Sequence, residues 1–192
     1  SGFLIRSDVF LVARHTIEAV TQNGIIPDGV KITINFDANI ACFKERRVSV
    51  ENILYVSNAP ERDFALLRID NPSREKITEV TTQVDVPSAG QAVALVSHPA
   101  FDIRRDSADL QRAFGDIYGV KRIGLGELLK AKDERLTYGL FSSGGSTGGP
   151  VVDLSTGNVF AMHFAGQAGI GGYGLTLSRI LEDENAKTIL EP

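Results

Sequence analysis

Residues Gly144-Gly145-Ser146-Thr147-Gly148-Gly149-Pro150 place two hydroxyls among closely spaced glycines. Glycine reaches positive φ without steric penalty, so consecutive amides can turn into one concavity. A concavity of N–H groups stabilises an anionic oxygen, as acyl-transfer chemistry requires. The amides of Gly145 and Thr147 are the donors that this spacing offers. Pro150 closes the loop, and Val151-Val152 opens a strand able to hold it rigid. On turn chemistry alone, a flexible surface turn is the commoner fate of such a run. The rest of the chain decides between the two.

The surrounding elements are short strands. Apolar or alternating runs span Phe3 to Arg6, Val9 to Ala13, Val30 to Phe36, Val50 to Val56 and Ala65 to Ile69. After Pro87-Ser88-Ala89-Gly90 they resume at Val93 to Ser97, Val120 to Ile123, Leu136 to Phe141, Val151 to Leu154, Val159 to Phe164 and Tyr173 to Leu177. Many short strands with few helical stretches predict an all-β fold of two antiparallel barrels, residues 1–85 and 86–192. Two segments read as helices: Asp106 to Phe114, with an Asp/Ser start and a stop at Gly115, and the tail Ser178 to Leu190.

At 192 residues and net charge −4, the chain has the composition of a globular protein. No apolar stretch approaches the ~20 residues of a membrane span, and the negative charge argues against a nucleic-acid surface. Lys44-Glu45-Arg46-Arg47 is a small basic cluster expected at a solvated strand edge. Cys42 is the only cysteine, so no intrachain disulfide can form, and its apolar neighbours predict a packing role. The absence of disulfides favours a cytoplasmic setting, with secretion left open by what could precede Ser1. No CxxC, HExxH or P-loop occurs, so no metal or cofactor is expected.

The glycine loop resembles the nucleophile loop of trypsin-like serine proteases, Gly-x-Ser-Gly-Gly/Ser-Pro, with Thr147 where that family has its serine. Leu11-Val12-Ala13-Arg14-His15-Thr16-Ile17 resembles the family's histidine segment, and Arg62-Asp63-Phe64-Ala65-Leu66-Leu67 its aspartate segment. A histidine after an apolar strand or an aspartate before one is by itself more often structural. The order His, Asp, hydroxyl loop is the conjunction that chance rarely supplies. Val151 to Gly157, Val159 to Gly166 and Phe114 to Arg122 are similar to bacterial V8-like, glutamyl endopeptidase-like members, and the resemblance covers residues 1–185. Ser1-Gly2-Phe3-Leu4-Ile5 already matches a later family strand, so a first strand is expected upstream, in a longer protein.

The resemblance implies that His15 is the general base, Asp63 orients it, Thr147 supplies the hydroxyl, and Gly145 and Thr147 form the oxyanion hole. It assigns Ser142 and His163 to the recognition of an acidic P1 side chain, and Phe164, Ala165 and Gly166 to pairing with the substrate backbone. A histidine packed between strands with one satisfied nitrogen is an equally good reading of His163. His98 is expected to be structural. The β-methyl of threonine restricts χ1, so weak turnover with retained peptide binding is expected. A substitution made to trap the enzyme, a natural pseudoprotease that binds peptides, and a true threonine nucleophile all remain open. Ser146 instead fits a Gly-x-Ser-x-Gly elbow, but only Asp153, His163 and the acids from Glu182 to Glu184 follow it, without helix-strand alternation. The expected partner is a protein or peptide substrate, with sensor or effector modules of a bacterial defence or signalling system fused or encoded nearby.

Overall fold

The computed structural model describes residues 1–22, 24–40, 45–59, 61–70, 77–132 and 135–191. Cys42 and Lys44 lie outside the described residues. Strands β1 (Gly2–Arg6), β2 (Val9–Val12), β3 (Thr33–Asn35), β4 (Arg47–Val56) and β5 (Ala65–Ile69) form an antiparallel sheet in the order β1-β2-β5-β4-β3. A short helix, α1 (Arg14–Glu18), follows β2. Strands β6 (Ala92–Ser97), β7 (Arg122–Lys132), β8 (Arg135–Tyr138), β9 (Pro150–Asp153), β10 (Val159–Gln167) and β11 (Gly171–Thr176) close into a barrel. Helix α2 (Ser107–Phe114) joins β6 to β7, and α3 (Leu177–Leu181) and α4 (Glu184–Leu190) follow β11.

The continuous apolar runs of β1, β2 and β5 have a packing cause. Alternate side chains of a strand point to opposite faces, and here both faces are covered. Leu4, Phe10, Val12, Ala65 and Leu67 fill the first sheet's own core. Phe3, Val9, Leu11 and Leu66 face the other way and meet Met162, Leu175, Leu177 and Ile180. That second cluster is the joint between the two sheets, so each half completes the burial of the other. The barrel interior holds Val93, Leu95, Leu128, Tyr138, Val151 and Phe160.

The two antiparallel barrels expected from the sequence are found as two barrel-like sheets: the second closes with six strands, and the first, among the described residues, is a half-barrel of five with β1 and β3 at its two ends. Near the open seam lies a cavity of about 560 Å³ with Phe10, Ile17, Ile34 and Phe36 in its wall. Strand β7 runs well past the expected end at Ile123: Gly124 and Gly126 take the inward positions where apolar side chains would have marked a strand, and at Gly126 the barrel leaves no room, since a Cβ would lie 2.3 Å from the carbonyl of Gly139. Its apolar residues Ile123 and Leu125 point outward instead.

The central helix is capped as its sequence predicts: Asp106 accepts from the amides of Ala108 and Asp109, and Gly115 turns left-handed at φ 59°. The tail is not one helix. Thr176 caps α3, and Asp183 breaks the run by accepting from the amides of Asn185 and Ala186 as the cap of α4. The same carboxylate accepts the Tyr55 hydroxyl at 2.8 Å, tying the tail to β4. Asp183→Ala should cost about 2 kcal/mol of unfolding free energy in a urea titration, because both the cap and a partly buried acceptor are lost. Asp183→Asn should cost less.

Candidate active site

His15 stands in α1, directly after β2, and Asp63 lies just before β5. Strands β2 and β5 are hydrogen-bonded neighbours, with Val12 opposite Ala65, so the ends that carry the two residues meet. The Asp63 carboxylate accepts twice: from the His15 amide at 3.1 Å and from the imidazole Nδ1 at 2.6 Å. A carboxylate facing Nδ1 fixes the proton there, so Nε2 is left as an acceptor. Arg14 braces the arrangement by donating to the carbonyls of Ser57 and Ala59, on the turn that precedes Asp63. The His15 side chain is 54% exposed and the Asp63 side chain 20%, so the open face of the pair is the imidazole.

The glycine loop is held from three sides. Segment 97–102 supports it from below: Ala100 N–H donates to the Gly144 carbonyl at 2.6 Å, and the Ser143 hydroxyl donates to the Ala100 carbonyl at 3.0 Å. Asp102 also takes the Gly144 amide, and the Arg104 guanidinium together with that contact holds its carboxyl at about 2. From β10, the His163 carbonyl accepts from Gly148 at 2.7 Å, and His163 N–H donates to Gly149 O at 2.8 Å. The first sheet supplies the third side. Gly148 (φ 90°) abuts Ser1 and Ala13 so closely that a Cβ would lie 2.0 Å from the Ser1 carbonyl. Ala13 precedes Arg14-His15, so this contact seats the hydroxyl loop against the histidine's segment.

Gly145 adopts φ 82°, and its amide, like that of Thr147, donates to no protein acceptor among the described residues. Two donors are thus left available in the loop, with Thr147 half-buried between them and Gly148. Ser146 is different. The residue is 1% exposed, its hydroxyl is bonded to that of Ser97 at 3.3 Å, and the described strands around it form a closed antiparallel barrel, so the elbow alternative fails on burial and on fold.

A family model described as a trypsin-like peptidase domain matches residues 1–162. The chain belongs to this family. Solved structures with the same fold include a glutamyl endopeptidase in complex with MPD (TM-score 0.70, 16% identity, covering 100% of this chain and 85% of that one). Deg5 aligns with a TM-score of 0.67 at 15% identity, covering 94% of this chain and 79% of that one. A serine endoprotease from Yersinia pestis gives 0.63 at 15% identity, covering 98% of this chain and 56% of that one. At these identities the likeness concerns the fold. No curated protein sequence matches significantly.

In this trypsin-like peptidase domain, β10 pairs with β9 only up to Met162, while β11 follows it to Gln167. Phe164, Ala165 and Gly166 therefore lie on a stretch with no strand partner on its other side among the described residues. Phe164 stacks on Tyr173 across the β10–β11 pair. Ser142 is buried, and its hydroxyl presses on Gly166, where a Cβ would lie 2.1 Å from it. Beside them opens a cavity of about 340 Å³ whose wall includes Arg105, Phe141, Ser142, Gln167 and Ile170. His163 is 1% exposed and is not in that wall; its Nδ1 meets the Tyr138 hydroxyl at 2.6 Å.

Segment 97–105 has no motif of its own, yet it borders the candidate site: the His98 carbonyl lies against Gly145, Asp102 takes the Gly144 amide, and Arg105 donates to the Gly166 carbonyl at 3.0 Å. The basic cluster near residue 45 is neutralised in part: Asp37 chelates Arg46 through both guanidinium contacts, and Glu45 pairs with Arg47. Among the described residues, no three His, Cys, Asp or Glu side chains gather to hold a metal.

Burial drives the His163 imidazole down to about 4 from an ordinary value of 6.5. The unfolded chain takes up a proton below about 6.5 that the folded site refuses until about 4, so stability falls as pH drops through that window. His98 is lowered for the same reason and adds to the same slope. His163→Gln should flatten this part of the profile, measured as urea midpoints at pH 7, 6, 5 and 4.

Proposed function

We propose that this trypsin-like peptidase domain is an endopeptidase site built on His15, Asp63 and Thr147, impaired by the threonine at the nucleophile position. The observation that carries the reading is the double acceptance of His15 by Asp63, through both the amide and Nδ1. It leaves Nε2 as a base with its tautomer set, beside a loop with two unused amides. The amide bond satisfies a first-turn donor of α1, and the bond to Nδ1 orients an imidazole that is half exposed.

In this scheme Nε2 of His15 takes the proton from the Thr147 hydroxyl as Oγ1 attacks the scissile carbonyl carbon. The amides of Gly145 and Thr147 bind the carbonyl oxygen as it gains charge. His15 returns the proton to the leaving amine, and a water activated by the same nitrogen then hydrolyses the acyl-threonine ester. The free side of β10 at Phe164 to Gly166 receives the substrate backbone as an added strand. Asp63 positions the imidazole throughout and stabilises its charged form. The likeness in fold to a glutamyl endopeptidase, and the sequence resemblance that assigns Ser142 to the recognition of an acidic side chain, support acidic side chains at P1.

The β-methyl of Thr147 limits the rotamers that aim Oγ1, and each ~1.4 kcal/mol of barrier is a tenfold loss in rate. Thr147→Ser should raise kcat/KM on peptide substrates by about 100-fold or more while leaving peptide Kd within about twofold. His15→Ala in the Thr147→Ser background should abolish the gain. Equal rates for the threonine and serine forms would make the threonine a competent nucleophile. A second reading, a peptide-binding pseudoprotease, rests on the same threonine and prevails if the serine form cleaves nothing that the chain binds.

A further inference from the structure

An acidic side chain needs a positive charge in its pocket, and the imidazole of His163 is a poor source of one. It is buried, bonded to Tyr138, and driven to about 4, so it is neutral near pH 7. The guanidinium of Arg105 stands in the wall of the 340 Å³ cavity with Ser142. It donates to the Gly166 carbonyl at 3.0 Å and lies 6.0 Å from the Phe141 ring centroid. Among the described residues no carboxylate lies within ion-pair distance of it. Asp109, which shares the cavity wall, is exposed and paired with Arg112 at 3.4 Å. Arg105 is thus a half-buried cation whose protein partner is a neutral carbonyl.

We propose that Arg105 is the residue that selects an acidic substrate side chain, by exchanging the Gly166 carbonyl for the substrate carboxylate in this cavity. This rests on the reading of the cleft as a peptide-binding peptidase site. A guanidinium presents parallel N–H donors that match both oxygens of a carboxylate, and the charged pair is stronger than the neutral bond it replaces. Ser142, at the same wall, adds a hydroxyl donor. The exchange has a second effect. Gly166 belongs to the stretch of β10 with a free side, so a carbonyl occupied before binding is released to the substrate main chain as the side chain docks. A ligand without a carboxylate gives Arg105 no reason to leave, and its backbone meets a carbonyl already in use.

The test measures binding, so it does not depend on turnover. Peptides blocked at both ends and differing only in Glu or Gln at P1 are titrated against the unsubstituted chain and its Arg105→Gln and Arg105→Lys forms. The chain should bind the Glu peptide at least about tenfold more tightly than the Gln peptide. Arg105→Gln, which can still donate to Gly166, should bring that ratio near one, and Arg105→Lys should keep part of it. The unsubstituted chain gives an independent reading: raising salt from 50 to 500 mM should weaken the Glu peptide and leave the Gln peptide nearly unchanged. No preference for Glu, or a ratio that survives Arg105→Gln, overturns the assignment. If the Thr147→Ser form then cleaves after other residues, the peptidase reading stands without it. Glu binding that depends on Arg105 in a serine form that cleaves nothing leaves the selection intact and removes the peptidase.

Discussion

The arrangement depends on one close approach, that of the Gly148 backbone to the first sheet at Ser1 and Ala13. No side chain fits there: the φ of 90° excludes an ordinary residue, and any Cβ would collide with a carbonyl. The contact fixes the distance between two sheets that otherwise meet through deformable apolar side chains, Leu11 and Leu66 against Met162 and Leu175. Hydrophobic packing sets which faces meet, with little directional preference. Backbone-to-backbone contact with hydrogen bonds on the far side, from Gly148 to the His163 carbonyl, sets where they stop. The proposed mechanism, with a hydroxyl on one sheet and an imidazole on the other, calls for that kind of stop, because such chemistry is sensitive to displacements of about 1 Å.

The two halves of the site are built on different principles. The histidine side is local: neighbouring strands β2 and β5 bring His15 and Asp63 to one end, and a single carboxylate grips both the main chain and the ring. The loop side is assembled from distant pieces, with Ser97 and Ala100, Asp102, and β10 each supplying one or two bonds. Substitution within that support therefore acts on the loop without touching a reacting group. Asp102 illustrates this, since its carboxylate is neutralised by exposed Arg104 on one side and occupied by the Gly144 amide on the other.

Strands were legible in the sequence because continuous or alternating apolar runs have one explanation when both faces of a sheet are covered. Ala65 to Ile69 is found at its expected bounds. The failures have physical causes. Strand β7 hid behind inward glycines and outward leucine and isoleucine, the reverse of the usual pattern. Helix α1 has no side-chain cap and only Ile17 buried, so nothing marks it. The break in the tail was written at Asp183, a good cap residue lying inside an apolar-periodic stretch. In the candidate site, His15, Asp63 and the glycine loop stand out through motif and order, and the structure joins the first two by hydrogen bonds. The contact of Arg105 with Gly166 could not stand out, because it comes from the path of a loop and not from any local pattern. The openness of the first sheet is likewise a property of strand edges, which composition does not record.

The tail reaches back across the whole chain. Arg6 donates to the Ile189 carbonyl, Tyr55 to Asp183, and Arg62 to Glu182, while Ile180 and Ala186 sit in the cluster shared by both sheets. Synthesis runs from the amino end, so β1 to β5 leave the ribosome with one apolar face bare and wait for the last strands and helices to cover it. The histidine and its aspartate come together within that early half, on neighbouring strands β2 and β5, but the glycine loop, held by β10, is seated only once the late segments dock. Assembly order thus divides the candidate site in time: its first half forms from early, local contacts, and the cleft is complete only when the end of the chain has folded.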